Sequence, residues 1–176
     1  MTEAIHNRFV AALTERLSKI KVGHAMDKET HIGPVVDAGQ LKQDMDYIQI
    51  GRGEGAKLVF GGERVERSTP GFYLQSALFT EATNQMRIAR EEIFGPVAAV
   101  IRVKAYDEAL ACANNTPFGL SARHRDHQPE ICLALRAQRG GRHGDGEPAH
   151  GGRRFPCAIR RPQGLFVRIA GTEKVC

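Results

Sequence analysis

The sequence has few of the features that mark a membrane, metal-binding or disulfide-linked protein. No apolar run approaches the ~18 residues of a membrane span, and the first residues lack the basic-then-apolar pattern of a secretory signal. Its four cysteines are separated by 20, 25 and 19 residues, so none forms a CxxC pair. Neither a zinc site nor a disulfide framework is indicated, and we expect a soluble, cytoplasmic chain without a metal.

Charge is distributed unevenly and changes near Ala122. Residues 1–122 have 14 basic against 15 acidic side chains, a net charge of −1, whereas residues 123–176 have 11 against 5, a net charge of +6. The pI of about 9.2 therefore reflects the second segment alone, and it gives no argument that the whole chain binds nucleic acid.

The second segment also has an unusual composition. Ten of its eleven basic residues are arginine, and it has eight glycines, four of the seven histidines and three of the four cysteines. Such a segment lacks the aliphatic side chains that a core needs. We therefore divide the chain into a domain over residues 1–122 and an Arg/Gly-rich tail over 123–176, which we predict to be irregular or disordered.

Helical and extended patterns alternate in residues 1–122. Apolar side chains recur at helical spacing in three stretches, and short apolar runs bounded by glycine or proline indicate strands. The predicted helices span 3–20, from the Asp37 cap to Gly51, and 106–113; the predicted strands span 57–60, 72–78 and 97–103. This alternation predicts an α/β architecture, an open sheet flanked by helices.

Three other signals have a simpler structural interpretation. The run GRGEG at residues 51–55 lies between a helix and a strand, the reverse of the order that directs amides at a phosphate, so it indicates a helix-ending turn. Cys112 lies on the apolar side of a short helix and is predicted to be a packed thiol. His124 and His127 have the spacing of metal ligands, but without a second pair we interpret them as solvated.

The most specific motif is EEIFGPV at residues 91–97, which leads directly into an apolar strand. Four other motifs accompany it in order within residues 2–122, about two-thirds of the chain: IGPVVD (32–37), EGAKLVFGG (54–62), GFYLQSALF (71–79) and ANNTPFGLSA (113–122). With them, residues 2–122 resemble the later part of the catalytic domain of NAD(P)-dependent aldehyde dehydrogenases. Residues 50–75 are most similar to the members that oxidise α-ketoglutarate semialdehyde (2,5-dioxopentanoate).

The resemblance implies a cofactor site on this motif. Glu92 would accept hydrogen bonds from the nicotinamide-side ribose, a role that suits an acceptor-only group. Phe94 would pack beside the nicotinamide. Gln40 falls near the contact with the other ribose, although Gln43 stands where a basic residue is usual. The alternative from the residues alone is that Glu91 and Glu92 form a solvated pair and that Phe94 belongs to the core.

The resemblance also implies a reaction, the oxidation of a small-molecule aldehyde to an acid with NAD or NADP by a homo-oligomeric enzyme. In this family a Cys thiolate attacks the aldehyde and a Glu activates water. No cysteine here matches the nucleophile's motif, so we assign no catalytic residue. We expect that the nucleophile, the Glu and the cofactor fold lie upstream, and that the chain alone is inactive, exposes apolar surface and is marginally stable or prone to aggregate.

The genetic code suggests an origin for the tail. Reading its codons one nucleotide later allows Gly-Ile-Val-Thr-Thr-Ser-Leu-Lys-Tyr-Ala over residues 123–133, Met-Val-Met-Val-Asn-Leu over 143–148 and Phe-Gly-Gly-Arg-Lys-Gly over 159–165. These strings resemble, in order, what the family has after the GLSA motif. Our hypothesis is that residues from about Arg123 onward are a frameshifted reading of a GC-rich gene.

Two other functional classes stay open. The basic tail could engage nucleic acid or an acidic partner electrostatically, although no aromatic interleaving or groove-reading motif supports this. Alternatively, residues 1–122 could dock as a structural partner onto an intact dehydrogenase subunit.

Overall fold

The structure is a computed structural model that describes residues 1–118 and the backbone of three short segments, 122–123, 168–169 and 173–175. Helices and strands alternate along the described residues. They are α1 (Glu3–Ser18), α2 (Ala38–Gly53), β1 (Lys57–Phe60), β2 (Arg64–Val65), β3 (Tyr73–Leu74), β4 (Ala77–Ala82), α3 (Arg87–Arg90), β5 (Val97–Ile101), α4 (Tyr106–Asn114), β6 (Ala122–Arg123), β7 (Arg168–Ile169) and β8 (Glu173–Val175).

The central sheet has the strand order β1-β4-β5-β8. Strands β4 and β5 are parallel and are connected through α3, whereas β1 runs antiparallel to β4 and β8 runs parallel to β5. Two antiparallel pairs, β2-β3 and β6-β7, lie outside this sheet. A sheet containing parallel strands with helices between them confirms the predicted α/β class.

Both faces of the two central strands are covered. Phe79 and Ala99 pack into one cluster with residues of α2, α3 and α4, whereas their neighbours Leu78 and Val100 pack into a second cluster with α1. Successive side chains of a strand point to opposite faces, so a strand covered on both sides has an almost continuous apolar sequence. This accounts for the runs ALF in β4 and VAAVI in β5.

The starts of the long helices agree with their sequence signals better than their ends do. Asp37 is the N-cap of α2 and accepts a hydrogen bond from the Gln40 N–H at 2.8 Å, as predicted. Thr2 occupies the N-cap of α1, but its side chain makes no capping bond. Helix α1 ends at Ser18, two residues earlier than predicted.

The predicted end of α2 at Gly51 is wrong, because the helix continues to Gly53. Gly51 is buried inside the helix, and a Cβ built there would lie 3.0 Å from Ile88 and 3.1 Å from Phe79. Its role is therefore close packing of α2 against α3 and β4. The chain instead turns at Gly55, which has a φ of +95° that favours glycine.

The single strand predicted over residues 72–78 is also wrong, because the chain there forms β3 and β4 with a break between them. The Gln75 N–H donates to the Glu63 carbonyl at 2.9 Å, whereas the Ala77 N–H donates to the Pro96 carbonyl at 2.8 Å. The chain thus leaves the β2-β3 pair and enters the central sheet within two residues. Strand β5 ends at Ile101 rather than at residue 103, and neither β2 nor α3 was predicted.

The prediction of an irregular or disordered tail falls largely outside the described residues, as do His124 and His127. Beyond β6, the structure describes the tail backbone only at β7 and β8. Both segments are extended and paired, β7 with β6 and β8 with β5. Within residues 1–118, no helix has the length and apolar character needed to cross a membrane.

Candidate functional site

The EEIFGPV motif forms the turn between α3 and β5, which we call the EIFG turn (residues 91–96). Ile93 is 3% exposed and anchors it in the core, whereas the next residue, Phe94, is 69% exposed. Phe94 has a φ of +60°, a region that side chains other than glycine rarely occupy. The alternative that Phe94 belongs to the core is therefore wrong. Its ring is directed outward by a backbone conformation that its surroundings must hold in place.

Two groups of side chains hold the EIFG turn, and we call them its supports. The first support contains the glutamines of α2. The Gln40 Nε2 donates to the Ile93 carbonyl at 2.9 Å and to the Asp44 Oδ1 at 2.6 Å. The Gln43 Nε2 donates to the same Ile93 carbonyl at 3.3 Å. Because two acceptors lie beside the Gln40 nitrogen, both of its N–H groups are engaged within the chain. Only the Gln40 Oε1 is left for any contact with a ligand.

Asp44 lies directly behind the turn and is fully buried. A Cβ built on Gly95 would lie 2.4 Å from the carboxyl carbon and from both carboxyl oxygens of Asp44, so this carboxyl packs against the Gly95 backbone. Among residues 1–118, no group hydrogen-bonds to the second oxygen, Oδ2. Burial raises the pKa of Asp44, and the Gln40 hydrogen bond opposes that effect only partly.

The second support holds Glu91. Its carboxylate receives two hydrogen bonds from Arg87, at 2.8 and 2.9 Å, and a third from the Tyr47 hydroxyl. The Arg87 guanidinium also lies 5.6 Å from the centre of the Tyr47 ring. The Arg87 hydrogen bonds, followed by that of Tyr47, lower the pKa of Glu91 to about 2, and the bond to Glu91 raises the pKa of Tyr47.

The neighbouring residues Glu91 and Glu92 therefore differ in their hydrogen-bond partners. Glu91 is 40% exposed and is engaged on both oxygens by Arg87 and Tyr47. Glu92 is half-buried, and its carboxylate makes no hydrogen bond or ion pair with any residue in the described part of the chain. An acceptor that is left available, two residues before an exposed aromatic side chain, can receive two hydroxyl donors of a sugar.

Other features of the described residues lie away from this turn. Cys112 is buried at 8% exposure among the apolar residues of the larger cluster, as expected of a packed thiol. A cleft of about 380 Å³ is lined by residues 20, 22, 63–67 and 75 and shares no residue with the turn. Over residues 1–118, no three side chains of the metal-ligating types are grouped closely enough to hold a metal ion.

Known proteins with similar sequences identify the family to which this chain belongs. The sequence model of the aldehyde dehydrogenase family matches residues 1–124, which include every residue of the EIFG turn and of α2. The chain belongs to the aldehyde dehydrogenase family. It is 45% identical over 120 residues to the betaine aldehyde dehydrogenase of Mesorhizobium japonicum and 42% identical over 120 residues to the alpha-ketoglutaric semialdehyde dehydrogenase of Bacillus subtilis.

These matches cover 67% of this chain but 25% of each relative, so the chain spans about a quarter of the length of those aldehyde dehydrogenases. Solved structures of the family agree. HpcC from Thermus thermophilus superposes with a TM-score of 0.73 at 39% identity, over 76% of this chain and 27% of that one. The betaine aldehyde dehydrogenase of Staphylococcus aureus in complex with NAD+ superposes with a TM-score of 0.71 at 29% identity, over 77% and 27%.

The sequence identifies Gln40 among the residues that hold the turn, but it does not identify Asp44, Tyr47 or Arg87. Asp44 had a detectable signal, because it lies three residues after Leu41 and four before Ile48, on the buried stripe of α2. A carboxylate on such a stripe needs a partner. Arg87 and Glu91 have the i,i+4 spacing of a helical ion pair, but the contribution of Tyr47 depends on packing between α2 and α3.

Proposed function

We propose that the EIFG turn forms part of the cofactor site of an NAD(P)-dependent aldehyde dehydrogenase. Glu92 would accept hydrogen bonds from the nicotinamide-side ribose, and Phe94 would pack beside the nicotinamide. When bound, the cofactor accepts the hydride that the aldehyde loses. The observation that carries the proposal is the contrast between Glu92, which has no partner among the described residues, and Glu91, which is fully engaged.

Gln40 has a more indirect part in this proposal. Both N–H groups of its amide bind within the chain, so a contact with the second ribose would use the Oε1 acceptor alone. We infer that its main contribution is to hold the Ile93 carbonyl, between the two residues that face the cofactor.

We further infer that residues 1–118 do not supply the nucleophile of the reaction. Cys112, the only cysteine among them, is buried in the larger apolar cluster, as is typical of a packed thiol rather than of a nucleophile. We propose an aldehyde as the substrate of the active enzyme. The similar identities to the betaine and the alpha-ketoglutaric semialdehyde enzymes, 45% and 42%, leave both aldehydes as candidates; residues 50–75 favour the second.

A chimera tests the assignment. Residues 1–118 replace the matching segment of the Bacillus subtilis alpha-ketoglutaric semialdehyde dehydrogenase, and the rates of aldehyde oxidation are measured while NAD+ and NADP+ are varied. Glu92→Gln should raise the KM for the cofactor about tenfold, because hydrogen bonds to a charged acceptor contribute about 1.5–3 kcal/mol. Glu66→Gln, an exposed glutamate in the segment that follows β2, is the matched control.

The outcomes are distinct. A chimera that oxidises the aldehyde with the same cofactor KM and kcat in its E92Q form would contradict the role of Glu92. The 176-residue chain alone, assayed beside it, should show no oxidation, and measurable activity would contradict our inference about the nucleophile.

We also propose that the tail from about Arg123 is read out of frame. Two observations support this: the family match ends at residue 124, and the net charge changes from −1 to +6 at residue 123. Sequencing the encoding DNA tests the proposal. Codons that cannot yield the family's residues when displaced by one nucleotide would disprove it.

A further inference from the structure

Asp44 is linked to the EIFG turn on both sides of Phe94, through Gln40 on one side and by direct contact on the other. On one side it binds Gln40, whose amide donates to the Ile93 carbonyl. On the other side its carboxyl packs against the backbone of Gly95, where a Cβ would lie 2.4 Å away. The residues before and after Phe94 are thus fixed by the same buried group.

Stability does not explain a carboxylate at this position. Asp44 is fully buried, and one of its oxygens has no partner within residues 1–118. Burying a carboxyl group with an unsatisfied oxygen opposes folding, and an apolar side chain of similar volume is often neutral or stabilising in its place. A residue that destabilises the fold where it lies is expected to have another role.

That role follows from the strained backbone of Phe94, whose φ of +60° must be enforced by its neighbours. An acceptor at position 44 orients the Gln40 amide so that its nitrogen faces the Ile93 carbonyl. Without this acceptor the amide can rotate and present its oxygen, which cannot bind a carbonyl. The Ile93 carbonyl would keep the longer bond from Gln43, at 3.3 Å.

We propose that Asp44 is a positioning residue of the cofactor site, which orients Gln40 and supports Gly95 so that Phe94 is directed at the nicotinamide. This inference rests on the proposed function, because it assigns the turn a cofactor to receive. Asp44 itself is fully buried, so it acts through Gln40 and Gly95.

Hydrogen exchange of the full 176-residue chain tests this role in the absence of cofactor. The Val97 N–H donates to the Gly95 carbonyl at 2.8 Å, so exchange in a peptide that contains Val97 reports opening of the turn. Asp44→Leu should speed that exchange about fivefold, the effect of losing about 1 kcal/mol of hydrogen bonding. Asp44→Asn keeps an acceptor of the same shape and should leave the exchange unchanged.

A second measurement uses fluorescence. The chain has no tryptophan, so Phe94→Trp places a single indole on the turn. Its anisotropy decay should gain a fast component when D44L is added and should not change when D44N is added. If D44L fails to fold, Gln40→Met should produce the same local loosening, because it removes the amide that connects Asp44 to the Ile93 carbonyl.

The result expected is faster exchange in the turn with unchanged exchange in β1, for D44L and not for D44N. Equal turn exchange in all three chains overturns the positioning role. So does faster exchange that extends to β1, because Asp44 would then be a general stabiliser. Neither result bears on the chimera, where an unchanged cofactor KM of E92Q would overturn the proposed function alone.

Discussion

The two supports of the EIFG turn each contain a carboxylate, and the surroundings of these carboxylates are opposite. Glu91 is 40% exposed and receives hydrogen bonds from a cation and a phenol, which lower its pKa to about 2. Asp44 is fully buried and its only hydrogen bond among the described residues comes from a neutral amide, and burial raises its pKa. The charged form is favoured at one end of the turn and disfavoured at the other.

The comparison separates the contribution of a carboxylate to folding stability from its contribution to the position of the turn. The Glu91 support resembles an ordinary surface ion pair with an added phenol, and its contribution to folding is modest because solvent screens it. The Asp44 support costs folding free energy but fixes a backbone that would otherwise relax. Three substitutions test this distinction, with expected effects of decreasing size.

Gly95→Ala should have the largest effect. The new Cβ would lie 2.4 Å from the Asp44 carboxyl, and relief requires movement of a buried group that Gln40 holds. We expect a loss of about 2 kcal/mol of unfolding free energy, typical of overpacking. Pulse proteolysis in urea at low protein concentration measures it.

The matched control is Asp44→Ala in the same background, which removes the colliding group. The G95A and D44A changes together should cost less than their sum, by about 1 kcal/mol or more. Additive losses would show that the carboxyl does not press against Gly95.

Asp44→Asn should have an intermediate effect of the opposite sign. At neutral pH it should raise the unfolding free energy by about 1 kcal/mol, because it removes a buried charge and keeps the bond from Gln40. Since the folded-state pKa of Asp44 is raised above its ordinary value of 3.8, the native carboxyl binds its proton more readily than the unfolded one. The wild-type deficit is therefore absent below about pH 3.8 and develops as the pH rises through the folded-state pKa.

Unfolding measured from pH 3 to pH 8 checks this sign. The curves of wild type and D44N should converge at the acid end and separate toward neutral pH. A difference that is constant over this range would mean that ionisation of Asp44 does not oppose folding.

Glu91→Gln should have the smallest effect, a loss of about 0.5 kcal/mol at neutral pH, because exposed ion pairs are weak. The pKa of Glu91 is lowered from 4.5 to about 2, so its contribution is present above pH 4.5 and is lost as the pH falls from there through about 2. The same unfolding series, extended to pH 2, measures it. Glu66→Gln provides an exposed comparison, and an equal loss there would remove any special role of the Glu91 support.

The sequence alone predicts much of the fold but only part of the candidate site. The family, the α/β class, the Asp37 cap and the strand of β5 follow from local signals, namely a motif, a capping residue and β-branched runs. The outward direction of Phe94 and the division of labour between Glu91 and Glu92 do not. They depend on which side chains of α2 lie against the turn, some 50 residues away in sequence.

The errors have the same origin. The run GRGEG between a helix and a strand predicts a helix end at Gly51, but close packing against Ile88 and Phe79 keeps this glycine inside α2. The break between β3 and β4 has no signal in the sequence, because the apolar run is continuous. It arises where the backbone stops pairing with the segment at Glu63 and begins to pair with the segment at Pro96. Tertiary packing decides both cases.

The spacing of the two supports along α2 has a last consequence. Gln40 and Tyr47 are seven residues apart, which corresponds to about two helical turns and about 10 Å of rise, so both point to the same side. An insertion or deletion of a single residue between them would rotate one about 100° away from the other. A change in the length of this short stretch would therefore remove either Gln40 or Tyr47 from its contact with the turn, which no substitution elsewhere in α2 could restore.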